Sequence, residues 1–307
     1  MNSLTHIPIL KDDVVSFWKN QGSGIFVDCT FGRGGHSRAL LEVIDQKSRL
    51  IALDIDQEAV AVGERLEALD DRFQMIYGNF KNLQSILFKL KIFQVDGILF
   101  DFGVSSPQLD NFKRGFSYQK NGPLDMRMDL NQKTTVADLL NQLSVGELAH
   151  IFEKYGECQE SLKVARKILK HQAIAPITTT DQLVTIIKNS VAKKTLYQKK
   201  HPCKTYFQAL RIYLNQELEN IKLVLDQLGK IINSKGVIIF LTFHSLEEKL
   251  IKKWIRANTG VINLANLPIS LERPFELITK KSIIPTDQEI ATNPRARSTK
   301  MWVVKKR

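Results

Sequence analysis

Ten residues, Asp28-Cys29-Thr30-Phe31-Gly32-Arg33-Gly34-Gly35-His36-Ser37, close one apolar run and open a helical one. Glycines at a strand-to-helix turn let a nucleotide-like ligand approach the backbone, because no Cβ intervenes. The spacing is Gly-x-Gly-Gly, with Ser37 where a dinucleotide fingerprint has its third glycine, so the loop alone also reads as a plain tight turn. Three further residues fall at comparable places. Asp54 ends the apolar run RLIALD, where a carboxylate accepts hydrogen bonds from both hydroxyls of a ribose, while Asp56 reads as readily as a helix cap. Phe80, in Gly78-Asn79-Phe80, offers a ring either to an adenine face or to the core. Asp101 ends another apolar run and leads into Phe102-Gly103-Val104-Ser105-Ser106-Pro107-Gln108, a turn of small polar residues.

The elements that must hold these residues follow from the alternation IFVDCT, SRALLEVI, RLIALDI, EAVAVGERLEAL, FQMIYGN, LQSILFKL, VDGILFDFGV. Short buried-type strands alternating with amphipathic helices predict a mostly parallel, doubly wound α/β sheet, in which the strand ends face one crevice. At Ser105 the rhythm stops. Helix signals then predominate, over 136–143, 145–155, 160–171 and 180–190, with Ser144 and Glu147 as a capping box and Gly156 as a stop. The run KKTLYQKKHPCK reads as an exposed connection. Phe207, Leu210, Leu214, Leu218, Ile221, Leu225 and Leu228 then predict one long helix with a single apolar face, bridging insert and core. The sheet resumes at GVIIFLTF after a Ser-Lys-Gly turn, LEEKLIKKWIRAN is the next helix, and 277–279 with 301–304 are expected to close the sheet as a hairpin. The domains expected are a discontinuous core, 1–107 with 213–307, and an all-helical insert, 108–212.

Composition sets outer bounds. With 43% apolar and 25% charged residues in 307, disorder is not the default. No basic stretch followed by an apolar run opens the chain and no apolar run is long enough to span a bilayer, so neither export nor a membrane partner is expected. Cys29, Cys158 and Cys203 are scattered and odd in number, which argues against a disulfide framework or zinc ribbon and fits a reducing cytosol. No metal-ligand cluster stands out. A formal charge of +12 points toward polyanions. Lys193, Lys194, Lys199, Lys200, His201, Lys204 and Arg211 crowd one stretch, and Arg295, Arg297, Lys300, Lys305, Lys306 and Arg307 crowd the last. From these, Lys199, Lys200, Lys204, Arg211, Arg295, Arg297 and Lys300 are the candidate RNA phosphate contacts.

The glycine loop and Asp54 would serve a nicotinamide oxidoreductase equally. Longer motifs separate the readings. GRGGHS, FDFGVSSPQLD, NGPLDMRMD, YFQALRI, FHSLEEK and NPRARSTK closely resemble the RsmH (MraW) family of bacterial small-subunit ribosomal RNA methyltransferases, from His6 to near the carboxyl terminus. The resemblance implies a Rossmann-like class I methyltransferase core with an inserted helical domain that recognises the substrate. It implies S-adenosylmethionine as cofactor, and as product the N4-methyl form of a decoding-region cytosine of 16S rRNA in the small ribosomal subunit. Matched motif by motif, the cofactor contacts it implies are Gly34, Gly35, His36, Asp54, Phe80, Asp101 and Gln108. Thr205, Tyr206, Phe102 and Thr242 depart from the family pattern, which puts substrate affinity near the insert in question but spares the cofactor positions.

Methyl transfer from a sulfonium is an in-line displacement, so alignment supplies most of the catalysis. An acceptor for the amino hydrogens would favour a pyramidal nitrogen and stabilise the charge growing on it. Asp101, with Ser105 and Ser106, is the expected catalytic set, although the Asx-Pro-Pro-aromatic tetrapeptide of many amino-methyltransferases is absent. His244 reads better as a neighbour of a capping Ser245 than as a site residue. A non-catalytic Rossmann-like RNA-binding or assembly factor is the alternative from another class, and a homodimer is compatible with the sequence.

Overall fold

Short runs rich in Ile, Val, Leu and Phe become strands, as their length and alternation predict. In the computed structural model, which describes residues 8–19, 21–196, 201–263 and 270–307, the strands are β1 (Ile25–Asp28), β2 (Arg49–Asp54), β3 (Phe73–Tyr77), β4 (Val95–Asp101), β5 (Ile232–Thr242), β6 (Val261–Asn263), β7 (Ser270–Glu272), β8 (Phe275–Leu277) and β9 (Lys300–Lys306). Seven of them form one sheet, ordered β3-β2-β1-β4-β5-β9-β8, and β6 pairs with β7 separately. Strands β1 to β5 are parallel, whereas β9 and β8 are antiparallel. This is the mostly parallel, doubly wound sheet that the alternation of strands and helices predicts. Strand order reverses between β1 and β4, where the Cys29 N–H donates to the Leu99 carbonyl at 2.9 Å, and a ligand crevice opens at such a switch point.

The two-residue period of the strands divides the core into two layers. Val27, Ile51, Leu53, Ile98, Phe100 and Phe240 enter one, while Phe26, Leu50, Ala52, Leu99, Ile239 and Leu241 enter the other. In the first layer the rings of Phe100, Phe102 and Phe240 stack at centroid separations of 5.4 to 6.3 Å. Phe102 is thereby absorbed into the core; each such pair contributes roughly 0.5–1.5 kcal/mol beyond area burial. The turn expected before the fifth strand is instead a bulge within it. Register with β4 jumps from Val95↔Ile232 to Gly97↔Val237, and Lys235 takes a φ of 68°. The closing hairpin is β8 on β9, with Thr279 just outside it accepting from the Val303 N–H at 3.1 Å.

The chain divides into two compact units, Met1–Gly103 with Leu218–Arg307, and Val104–Glu217. The described part of the second unit is helical: Val136–Gln142, Val145–Gly156, Ser161–Gln172, Thr180–Ser190 and Cys203–Leu214, besides shorter turns. The Ser144–Glu147 capping box is present, Ser144 accepting from the Glu147 N–H and Glu147 from the Ser144 N–H. Gly156 does not itself end the helix by a left-handed turn; Glu157 does, at φ 51°. A Cβ at Gly156 would lie 2.7 Å from both the Cys158 Sγ and the Thr205 carbonyl, so the missing side chain is what allows the helix Cys203–Leu214 to pack there. Thr205 and Tyr206 are internal: Thr205 Oγ1 accepts from the Cys158 thiol, and Tyr206 packs edge-on against Phe152 at 4.9 Å. They bear on the packing of this unit.

The single long helix expected from Phe207 onward is broken into Cys203–Leu214, Glu217–Leu225 and Leu228–Ile231. Apolar spacing persists across the break, which is why periodicity alone misses it. The cause is Asn215, followed by Gln216 at φ 53°. The Asn215 amide donates to the Met126 carbonyl at 2.9 Å and its oxygen accepts from the Met128 N–H at 2.8 Å. Those partners lie in NGPLDMRMD, whose sequence acquires a structural reason here. Arg127 pairs with Asp125 and donates to the Gln132 carbonyl, while buried Arg114 donates to the carbonyls of Arg127 and Met128. At Gly122 a Cβ would overlap the Phe112 carbonyl. The stretch braces the helical unit from within. Replacing Asn215 by Ala strands two buried backbone groups, and the expected loss is roughly 2–4 kcal/mol. Urea unfolding at the unaltered midpoint would show that these bonds contribute nothing net.

Among the described residues all three cysteines are free thiols, and no helix is long and apolar enough to cross a membrane.

Candidate active site

The glycine loop leaves β1 and turns at once into the helix Gly35–Leu41. Gly34 takes a φ of 73°, and a Cβ there would lie 2.5 Å from the ring of Phe31, so this position requires glycine on both counts. Hydrogen bonds tie the loop to the strands on either side. The Gly32 N–H donates to Asp54 Oδ2 at 2.8 Å, and the Asp56 N–H to Asp54 Oδ1 at 2.9 Å, which aims the carboxylate at the end of β2. On the other flank the Asp101 N–H donates to Thr30 Oγ1 at 2.7 Å. Asp28, buried beneath the loop, accepts from Ser37 Oγ at 2.7 Å and from the Thr30 N–H at 3.1 Å.

His36 is not a cap. It is buried with Nε2 3.6 Å from Asp101 Oδ2. Phe80 follows β3, and its ring packs 5.9 Å from Phe100 and 5.8 Å from Phe102, both edge-on. In the sheet β2 and β1 lie between β3 and β4, so these contacts bring a residue that follows β3 to the end of β4. Gly34, Gly35, His36, Asp54, Phe80 and Asp101 thus gather in the first unit at the carboxyl ends of β1 to β4. Ser105, Ser106 and Gln108 belong to the second unit. There Ser105 caps the short helix Ser106–Asp110, accepting from the Gln108 N–H, and the buried Gln108 side chain accepts from the Ser105 N–H. Both side chains are engaged in a capping box, a local structural role rather than the expected cofactor or proton contact.

The carboxyl groups are electrostatically unusual. Burial pushes Asp28 and Asp54 up to about 6, against the hydrogen bonds they accept. Burial first, then the nearby carboxylates of Asp28 and Glu247, pushes Asp101 up to about 8. Its side chain keeps 27% of its surface open. Yet Oδ1 is shielded from solvent and has no hydrogen-bond partner among the described residues. A buried orphan acceptor beside an opening suits a ligand that brings donors or positive charge.

These shifts have a consequence for stability. A carboxyl raised on folding keeps its proton in the native state at pH values where the unfolded chain has lost it, so stability falls as pH rises. For Asp101 the contribution is complete below the ordinary value of 3.8 and is lost as pH rises through about 8. Above pH 6, where Asp28 and Asp54 have passed their midpoints of about 6, Asp101 carries most of the remaining slope. The melting temperature of the ligand-free protein is therefore expected to fall between about pH 6 and 8, and Asp101→Asn to flatten that fall. An unchanged slope in the variant would mean that Asp101 is already ionised at neutrality.

His244 is itself the N-cap of the helix Ser245–Asn258, which corrects the assignment to Ser245: its Nδ1 accepts from the Glu247 N–H at 3.4 Å. Glu247, not among the residues expected at the site, is fully buried and accepts from the N–H groups of Phe243 and His244. Its position three residues past the cap was the available signal. Asp28 was likewise legible as a carboxylate closing a buried strand.

The expected RNA contacts separate on inspection. Lys199 and Lys200 lie outside the described residues. Lys204 is exposed in the first turn of Cys203–Leu214, and Arg295 and Arg297 are exposed on the turn Pro294–Ser298. Arg211, by contrast, is bonded through two nitrogens to Glu217, both at 2.8 Å, with 14% of its side chain exposed, so it is an internal ion pair and not a phosphate contact. Lys300 is held by Glu248 at 2.7 Å, and Lys306 donates to the carbonyls of Gly229 and Ile232. Charge clustering in a sequence does not reveal which charges fold onto partners.

The chain resembles known proteins along its whole length. The model of the MraW methylase family matches residues 3–307. A protein of Mycoplasma mycoides named ribosomal RNA small subunit methyltransferase H is 45% identical over 98% of this chain and 99% of its own length. Proteins of the same name from Mycoplasma capricolum and Halothermothrix orenii are 44% and 39% identical, over 98% and 99% of this chain and 99% of each relative.

Proposed function

The chain belongs to the MraW methylase family, and on that premise we propose that it methylates the exocyclic N4 amino group of a cytosine in the decoding region of 16S rRNA within the small ribosomal subunit, in the cytoplasm. The substrate class follows the names of its relatives; the position on the base follows the motif resemblance. In this reading the first unit binds S-adenosylmethionine and the second recognises RNA.

The observation that carries the chemistry is the orphan carboxylate oxygen of Asp101 beside His36 at the switch point of the sheet. The residues present fit the cofactor: a glycine loop without side chains at Gly34, a carboxylate at Asp54 already oriented by two N–H donors, and an aromatic ring at Phe80. When bound, S-adenosylmethionine supplies an electrophilic methyl on a sulfonium, whose positive charge favours ionised Asp101. Ionised Asp101 then holds an amino hydrogen of the incoming base, directs the nitrogen lone pair along the line of displacement and takes up the proton released as the new N–C bond completes. Thr30 holds the Asp101 backbone through its N–H, and His36 lies beside the carboxylate at 3.6 Å. A cytosine amino group is reachable only in an unpaired or flipped base, which suits exposed single strands of an RNA assembly better than duplex.

The test is transfer of labelled methyl to small subunits unmodified at the target, to free 16S rRNA and to DNA, followed by digestion to nucleosides. Label recovered as N4-methylcytidine from the subunits is the expected result. Label only in DNA, or in another nucleoside, would overturn the proposal, and titration calorimetry with S-adenosylmethionine and NAD tests the oxidoreductase alternative.

A further inference from the structure

In the helical unit three rings run from the interior outward. Phe207 is buried; Tyr118 meets it edge-on at 6.0 Å; His201 stacks on Tyr118 at 4.6 Å with 20° between the planes. Tyr118 and His201 are both half-buried. The imidazole is also held by an edge, since the Cys203 N–H donates to its Nδ1 at 3.2 Å. With Nδ1 an acceptor, the ring proton sits on Nε2. Burial first, and then the Lys188 cation, hold His201 below the ordinary histidine value, so it is neutral near pH 7. Lys188, whose charge it feels, is exposed, and so is Lys204, whose backbone N–H donates to the His201 carbonyl at 3.0 Å.

A neutral imidazole among cations is a poor phosphate ligand. It is, however, a flat ring fixed on one face and along one edge, with basic side chains beside it to hold a backbone. Aromatic stacking flanked by lysines is how proteins hold unpaired nucleotides without reading sequence. We propose that His201, stacked on Tyr118, is the platform for an unpaired nucleobase of the RNA substrate, with Lys188 and Lys204 on the adjoining phosphates. The proposal rests on the rRNA reading above and adds to it a stacking site remote in sequence from the methyl-transfer residues.

The experiment measures KM and kcat for methyl transfer to unmodified small subunits, and filter binding of the same subunits, with the full chain and the variants His201→Ala, His201→Phe and Lys188→Gln. Loss of a base-stacking partner should raise KM for the subunits roughly 5- to 100-fold in His201→Ala, with kcat little changed. His201→Phe, which keeps a flat ring and loses both ring nitrogens, should recover most of that affinity, whereas a purely structural imidazole would not be replaced by it. Lys188→Gln should reduce the steepness with which affinity falls with salt, and His201→Ala should not. Affinity within two-fold of the unaltered chain in His201→Ala, or His201→Phe as impaired as His201→Ala, overturns the platform. In either case methyl transfer by the unaltered chain would still stand; its complete absence on RNA would remove the rRNA reading and this inference together.

Discussion

Asp101→Asn is expected to lower the rate of methyl transfer by roughly 10²- to 10⁴-fold, the range for loss of a positioned proton acceptor, and to weaken cofactor binding by the smaller factor with which the bound sulfonium favours the ionised carboxyl. Asparagine keeps the shape of the side chain and the bond from its backbone N–H to Thr30 Oγ1 at 2.7 Å. What it removes is the group that accepts the amino proton and answers the charge growing on the nitrogen. The pH dependence should change with it. In the ligand-free chain the carboxyl titrates near 8 because of burial and its acidic neighbours, and a bound cation moves that value down. The rate for the unaltered chain should therefore rise with pH on a limb that belongs to Asp101, and the residual rate of the variant should lack this limb. Single-turnover transfer across pH, with cofactor binding followed separately by calorimetry, checks both parts. Full-rate methylation by Asp101→Asn would remove the carboxylate from the mechanism.

Asp54→Ala should behave in the opposite way. Its two oxygens accept from the Gly32 and Asp56 N–H groups at 2.8 and 2.9 Å, which leaves one further lone pair on each for the ribose hydroxyls. Hydrogen bonds to a charged group contribute roughly 1.5–3 kcal/mol each, so losing two weakens cofactor binding by roughly 10²- to 10⁴-fold. The true effect should lie toward the larger figure, because Ala also leaves the Gly32 N–H without its acceptor and loosens the loop. At saturating cofactor the variant should recover a kcat within several-fold of the unaltered chain, since Asp54 touches nothing that reacts. Tight binding by Asp54→Ala would place the ribose elsewhere. Together the two variants separate binding from chemistry, and an outcome in which both lose both would indicate a collapsed site.

Much of this was legible along the chain because it is encoded locally. Strands β1 to β5 declare themselves by short apolar runs, and the helical unit by three- and four-residue spacing with caps such as Ser144 and Glu147. The glycine loop, Asp54 and Asp101 stand at strand ends, so naming the strands already locates them. Elsewhere local signals misled for physical reasons. Apolar spacing ran unbroken through 207–228, although Asn215 and Gln216 interrupt the helix, because a kink need not disturb which residues face inward. Arg211 and Lys300 read as free cations, since nothing in their neighbourhood shows that Glu217 and Glu248 will claim them. His244 was passed over as a cap because imidazole is an uncommon one.

By itself the sequence determined the order of strands and helices, the turn that must be glycine and the carboxylates available for chemistry, all properties of neighbouring residues within a few turns of chain. Only the tertiary structure decided that Asp101 lies beside His36 with one oxygen unanswered among the described residues, that NGPLDMRMD closes on Asn215, and that His201 rests on Tyr118. Each of those depends on residues far apart in the chain being driven from water together, and the resulting desolvation, which sets what a carboxyl or an imidazole does, exists only once the chain has folded.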